Sequence, residues 1–206
     1  MSEFTVQTDN EVLRRILRAT APAASEVYSP SDDSLLMLDA VSNTPLQGKE
    51  VLDVGTGSGI LGLFCAMHGA HVTVTDVDER ALVSAQNAAR SLGVDLRVTL
   101  SDLFSKVSAR FDLVLFNPPY VPSSSIEDRT VDGGKRGTEL IGKFLDALPE
   151  HLIAGGSALL LVSTMNDSSA LIAEHSEFCF SVVAKRALFF EELQVLRLSL
   201  WHNAVR

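Results

Sequence analysis

The sequence predicts an α/β domain, a seven-stranded and mostly parallel sheet with helices on both faces and an antiparallel strand at the C-terminal end. Three observations lead there. From Lys49 onward, short apolar runs alternate with amphipathic stretches of helical period, the pattern of repeated β-α units. The runs Leu113 to Phe116 and Leu159 to Val162 are continuously apolar, as strands covered on both faces should be. The last two apolar stretches lie too close together for a crossover helix, so they should pair antiparallel.

The elements follow in order. Asp9 to Ala19 sets Val12, Leu13, Ile16 and Leu17 at helical spacing beside three arginines, and Pro22 ends that helix. A second helix spans Ser31 to Val41, with Ser31 as candidate N-cap and Asp32 and Asp33 in the first turn, where negative charge suits the helix dipole. Val51 to Val54 is then a strand, Ile60 to His68 a helix, Val72 to Thr75 a strand and Glu79 to Leu92 a helix. Strands follow at Leu96 to Leu100 and Phe111 to Phe116, then a loop from Pro118 to Arg136. A helix at Glu139 to Leu152, a strand at Ser157 to Ser163 and a helix at Ser168 to His175 lead to the final strands, Phe178 to Leu188 and Gln194 to Trp201. Phe189, Phe190 and Trp201 are expected to pack in the core or at a sheet edge. No repeat, low-complexity tract or linker divides the 206 residues, so 1–206 reads as one domain.

Composition narrows the function. With 17 Lys+Arg against 26 Asp+Glu, the net charge of -9 gives no global field for a phosphate backbone, which argues against nucleic acid. Hydrophobic content of 46% supports a real core rather than disorder. Apolar runs stay well short of the ~20 residues that span a bilayer. The N-terminus lacks a signal-peptide pattern, so a cytoplasmic protein is expected. Cys65 and Cys179 show neither C-x-x-C nor metal spacing, so no metal site is expected and both should be reduced core residues. The five histidines are scattered and read as surface or helix-end residues.

The chemistry sits where strands end. Asp53-Val54-Gly55-Thr56-Gly57-Ser58-Gly59-Ile60-Leu61-Gly62 leaves the first strand and opens a helix, the position at which a doubly wound sheet binds a cofactor. Two cofactors fit. Gly57, Gly59 and Gly62 satisfy dinucleotide spacing, while Gly55, Gly57 and Gly59 behind an acidic residue resemble the first motif of class I S-adenosylmethionine methyltransferases. Asp76, ending the second strand, could accept hydrogen bonds from the ribose hydroxyls of either. Asp53 is poorly matched to a pyrophosphate and well matched to an ammonium and a sulfonium, although a cap or turn role also fits. Asp102 closes the third strand, where a turn aspartate is the plain alternative.

Asn117-Pro118-Pro119-Tyr120 leaves the fourth strand. Planar amide and amino nitrogens have delocalised lone pairs, so methylating one requires acceptors that grip its N–H groups. The Asn117 side-chain oxygen and the Pro118 carbonyl could each take one, proline holds the backbone, and Tyr120 offers a flat face.

Together, Asp53 to Gly59, Asp76, Asp102 and Asn117 to Tyr120 resemble the class I S-adenosylmethionine-dependent methyltransferases with an N-P-P-Y motif. Val27-Tyr28-Ser29-Pro30-Ser31-Asp32-Asp33-Ser34, Gly133-Gly134-Lys135-Arg136-Gly137 and Leu188-Phe189-Phe190-Glu191-Glu192-Leu193 look like the archaeal and eukaryotic HemK-type branch, with Ser29 where that branch often has Glu. The resemblance implies a Rossmann-like class I methyltransferase fold, with residues 1–45 as helices covering the cofactor site and 46–206 as catalytic core. It implies N5-methylation of the glutamine in the Gly-Gly-Gln loop of a class 1 peptide chain release factor, with S-adenosyl-L-homocysteine as product. By position, Ser34, Asp53, Gly55, Gly57, Gly59, Asp76, Asp102, Leu103 and Asn117 would contact the cofactor, and Asn117, Pro118, Pro119 and Tyr120 would hold the glutamine. Some members act with a small zinc-binding activator protein that adds a strand to the sheet edge. An exocyclic-amine methyltransferase acting on DNA or RNA is the alternative, and an NAD-dependent oxidoreductase a remote one.

Overall fold

The computed structural model describes residues 10–21, 31–119, 138–165 and 168–201. Tyr120, the rest of the loop to Arg136, Val27 to Pro30 and His202 lie outside the described residues. Helices α1 (Asn10–Thr20) and α2 (Asp32–Ser42) precede strand β1 (Glu50–Val54). Helix α3 (Ile60–Met67), β2 (His71–Asp76), α4 (Glu79–Leu92), β3 (Leu96–Leu100) and β4 (Phe111–Phe116) follow. The chain continues through α5 (Glu139–Ala147), β5 (Leu152–Ser163), α6 (Ser168–Glu174), β6 (Phe178–Ala187) and β7 (Glu192–Leu200).

All seven strands join one sheet in the order β3-β2-β1-β4-β5-β7-β6. β1 pairs parallel with β2 and β4, β2 with β3, and β4 with β5, while β7 runs antiparallel to both β5 and β6, as the short final connection requires. Successive side chains point to opposite faces. Val51, Val72, Val74, Leu113 and Leu115 therefore pack with α1 to α4 in one core, and Leu52, Val54, Val114 and Phe116 pack with Ile141, Phe144 and Leu145 of α5 in the other. Helix α4 is fixed at both ends by its sequence. The Asp78 carboxylate accepts from the Arg80 backbone N–H at 2.9 Å, and Gly93 takes φ 72° at the C-cap.

Four expectations change. Helix α5 stops at Ala147 and gives way to a 3-10 turn, Leu148–His151, because Pro149 cannot continue an α-helix. Strand β5 then begins at Leu152, well before Ser157. Phe111 pairs with Leu152 but Leu113 pairs with Ser157, so the residues between them form a bulge. Gly156 permits it, since a Cβ there would stand 2.8 Å from the Phe111 carbonyl oxygen. Ser31 occupies the N-cap position of α2 with extended backbone, yet its hydroxyl donates to Asp33 instead of capping. Cys65 is buried as expected, but Cys179 is exposed on the outermost strand, β6.

Histidines 151 and 175 do lie at helix ends, but both are buried. His151 stacks on Phe104 with ring centroids 4.3 Å apart, and its Nδ1 lies 3.1 Å from the Ala109 carbonyl oxygen. His175 Nε2 lies 3.3 Å from Asp146 Oδ1.

The strand order reverses between β1 and β4, which places a crevice at their carboxyl ends. Val54 is in register with both Thr75 and Phe116, so the glycine loop after β1, the turn after β2 and Asn117 after β4 emerge at one edge.

Candidate active site

The glycine loop is built from the strands beneath it. Gly55, Gly57 and Gly59 take φ of 62°, 53° and 82°, and the Thr56 N–H donates to the Thr75 carbonyl at 2.9 Å. Gly59 could carry no side chain, because a Cβ would meet Ala85 Cβ at 2.8 Å while φ stays left-handed. Asp53 is 1% exposed. Its Oδ2 accepts from the Thr56 hydroxyl at 2.6 Å and from the Gly62 N–H at 3.1 Å, so the carboxylate braces both the loop and the first turn of α3. Burial pushes its pKa up to about 7, against the hydrogen bonds from Thr56 and Gly62, and the nearby Asp76 charge adds to the rise. The cap role that the sequence left open for Asp53 is thus real, and it places a titratable carboxyl beneath the loop.

Asp76 ties the second strand to the same loop. Its Oδ2 accepts from the Gly57 N–H at 2.9 Å and its Oδ1 from the Asp78 N–H at 2.9 Å. Asp102 is exposed in the turn after β3, and Leu103 beside it is half-buried at φ 46°, the one left-handed non-glycine among the described residues. A leucine held in that region is strained, and such strain concentrates at ligand sites. The loop backbone, Asp76 and the Asp102–Leu103 turn thus line one edge of the sheet.

At the fourth strand, Pro118 is buried and Asn117 and Pro119 are half-buried. The Asn117 Nδ2 donates to Asp33 Oδ2 at 3.1 Å, while its Oδ1 is buried and accepts no hydrogen bond from the described residues. A buried acceptor left open is costly, and here it is aimed by the donor on the other side of the amide. Ser34 is buried on the same helical turn, its N–H 2.5 Å from Asp33 Oδ1. Ser34 was legible in the sequence as a site residue, whereas Asp33 was not, because its contact with Asn117 spans 84 positions. Nor was Thr75, fully buried with its hydroxyl unpartnered among the described residues and its carbonyl bonded to the glycine loop at Thr56.

Phe189 and Phe190 are not packed inside. They are 92% and 86% exposed in the turn joining β6 to β7, their rings 4.6 Å apart edge to face, and Trp201 is also exposed. Lys143 is exposed on α5, and Lys135 and Arg136 lie outside the described residues.

A family model described as the methyltransferase small domain matches residues 25–189. The chain is 35% identical over 180 residues to a protein of Methanocaldococcus jannaschii named for protein N5-glutamine methylation, covering 83% of this chain and 90% of that one. It is 31% identical over 166 residues to the human methyltransferase HEMK2, covering 73% and 78%. Among solved structures, the E. cuniculi Mtq2-Trm112 complex, described as methylating the translation termination factor eRF1, matches with a TM-score of 0.70 at 28% identity. That match covers 84% of this chain and 98% of that one.

Proposed function

Because the chain belongs to the methyltransferase small domain family, we propose that it transfers the methyl group of S-adenosyl-L-methionine to the side-chain amide nitrogen of the glutamine in the Gly-Gly-Gln loop of a class 1 translation release factor. The buried Oδ1 of Asn117, without a partner among the described residues, carries this reading. An amide nitrogen has two N–H bonds and a lone pair delocalised into its carbonyl. Asn117 Oδ1 and the Pro118 carbonyl take those two N–H groups and turn the nitrogen toward the methyl donor. Pro118 and Pro119 hold the carbonyls in place, and Tyr120 flanks the planar group.

S-adenosyl-L-methionine supplies a sulfonium-activated methyl group, and S-adenosyl-L-homocysteine is the product. The nitrogen lone pair forms the new N–C bond as the S–C bond breaks, its electron pair stays on sulfur, and the extra N–H proton leaves to water. No strong base is required, and orientation and exclusion of water supply most of the acceleration. Asp76 holds the ribose hydroxyls, Asp102 the adenine amino group and Leu103 the face of the ring. Gly55, Gly57 and Gly59 let the backbone approach, Ser34 would meet the amino-acid end, and Asp53, buried beneath the loop, would act on that end through the loop it braces. Residues 1–206 act as one unit in which α1 and α2, within residues 1–45, cover this site.

The net charge of -9 favours a protein loop over a nucleic acid as substrate. A small zinc-binding activator protein would add a strand to an edge of the sheet, which ends at β3 on one side and β6 on the other.

The reading is tested by incubating the chain, with and without such an activator, with labelled cofactor and either release factor, DNA or RNA. Label should enter the release factor and disappear when the Gly-Gly-Gln glutamine is replaced, whereas label confined to DNA or RNA contradicts the proposal. Asn117→Ala should lower turnover by about 100-fold or more while changing S-adenosyl-L-homocysteine affinity by less than about threefold.

A further inference from the structure

We infer that Asp33 is a positioning residue that decides which atom of the Asn117 amide faces the substrate. An asparagine amide has nearly the same shape in both of its flipped orientations, so packing alone cannot choose between oxygen and nitrogen. Hydrogen-bond chemistry can. Asp33 is 2% exposed on the first turn of α2, and a carboxylate only accepts hydrogen bonds. Its Oδ2, 3.1 Å from Asn117 Nδ2, admits the nitrogen and repels the oxygen. Asn117 Oδ1 is thereby turned away into the position where it has no partner among the described residues. The opposite flip would present an NH2 group to the N–H groups of the substrate, donor against donor.

The rest of the local structure holds Asp33 in this role. Its Oδ1 accepts from the Ser31 hydroxyl at 2.5 Å, the Ser34 N–H at 2.5 Å and the Ser34 hydroxyl at 3.3 Å, which fixes the carboxylate plane. One residue earlier, Asp32 is anchored to the sheet by Arg186 of β6, whose Nη1 lies 2.7 Å from Asp32 Oδ1. The start of α2 is therefore tied to β6 on one side and to the Asn117 turn on the other. A charged acceptor on Nδ2 also polarises the amide, which strengthens Oδ1 as an acceptor for the substrate.

This inference rests on the methyl-transfer reading, so its tests include one that needs no turnover. In Asp33→Asn, either orientation of the new amide sets a donor against a donor, at Ser34 N–H or at Asn117 Nδ2. Turnover should fall by about tenfold or more, with S-adenosyl-L-homocysteine affinity kept within about twofold. In Asn117→Asp, two carboxylates face each other, and activity should be lost. The exchanged pair Asp33→Asn with Asn117→Asp restores a donor-to-acceptor contact and leaves an oxygen toward the substrate. It should recover about tenfold or more of the activity lost in Asn117→Asp. In nuclear magnetic resonance spectra of the protein without substrate, the Asn117 side-chain NH2 protons should exchange slowly with water, and faster in Asp33→Asn. Wild-type turnover in Asp33→Asn, cofactor affinity falling in step with activity, or an exchanged pair no better than Asn117→Asp would each overturn the inference. If Asp33→Asn does not fold, the exchanged pair decides. If the wild type labels no release factor while the NH2 exchange behaves as described, the proposed function fails and the role of Asp33 in setting the amide stands.

Discussion

Asp53 is a carboxyl group held in the core by two donors, and its environment makes a pH signature. Its pKa rises from 3.8 to about 7, chiefly through burial. Between these values the folded chain holds a proton that the unfolded chain has released. Stability from this group is therefore lost as the pH climbs from about 4 to about 7, by an amount on the order of a few kcal/mol. Asp78 and Asp112 act in the opposite direction and in a lower window. Hydrogen bonds from Arg80 and Lys49 respectively depress their pKa values, so their stabilisation is present above about pH 4 and lost on further acidification. Asp53→Asn keeps an acceptor for Thr56 and Gly62 without the titration. Denaturant unfolding from pH 4.5 to 7.5 should show stability of the wild type declining and that of the variant staying flat or rising. Parallel curves would show that Asp53 does not titrate there. What the sequence showed at this level was residue type and position at strand ends. Asp53 was legible because it opens the glycine segment within the first strand, and Asp76, Asp102 and Asn117 because each ends or follows a strand. Asp33 was not, because its meaning lies in a contact 84 positions away that no local spacing encodes.

The closeness of α3 to the sheet depends on Gly62. A Cβ there would meet Val74 Cγ1 at 2.8 Å and Asp53 Oδ2 at 3.2 Å, so the helix would have to lift from β1 and β2. Overpacking of that kind costs about 1–3 kcal/mol, more than the helix-propensity gain of about 1 kcal/mol from replacing glycine. Gly62→Ala should lower the Tm by roughly 2–6 °C and weaken cofactor binding, since Asp53 and the loop move with the helix. An unchanged Tm in thermal unfolding would show that the contact yields freely. Elements β1 to β4, α3 and α4 were legible because strand and helix periods alternate cleanly there. The start of β5 was not, since Leu152 to Gly156 has two glycines and no alternation and becomes strand only by pairing with Phe111 across a bulge. Phe189 and Phe190 were misleading for a related reason: their apolarity suggests burial, but a tight turn at the end of β6 leaves them no interior to enter.

At the level of the molecule, strand order turns separate sequence signals into one site. Glycines after β1, aspartates after β2 and β3, and asparagine after β4 lie far apart in the chain, yet parallel pairing brings all four strand ends to one edge, with the order reversing at β1 and β4. The acidic balance fits a catalytic site that grips a protein loop through a few polar contacts rather than a phosphate backbone through charge. Tandem mass spectrometry of release factor after incubation with the chain and S-adenosyl-L-methionine addresses the proposed chemistry at the level of a single atom. One methyl group should be found on the side-chain amide nitrogen of the Gly-Gly-Gln glutamine, absent when Asn117 is alanine. A methyl found on another residue, or on that glutamine regardless of Asn117, would contradict the reading.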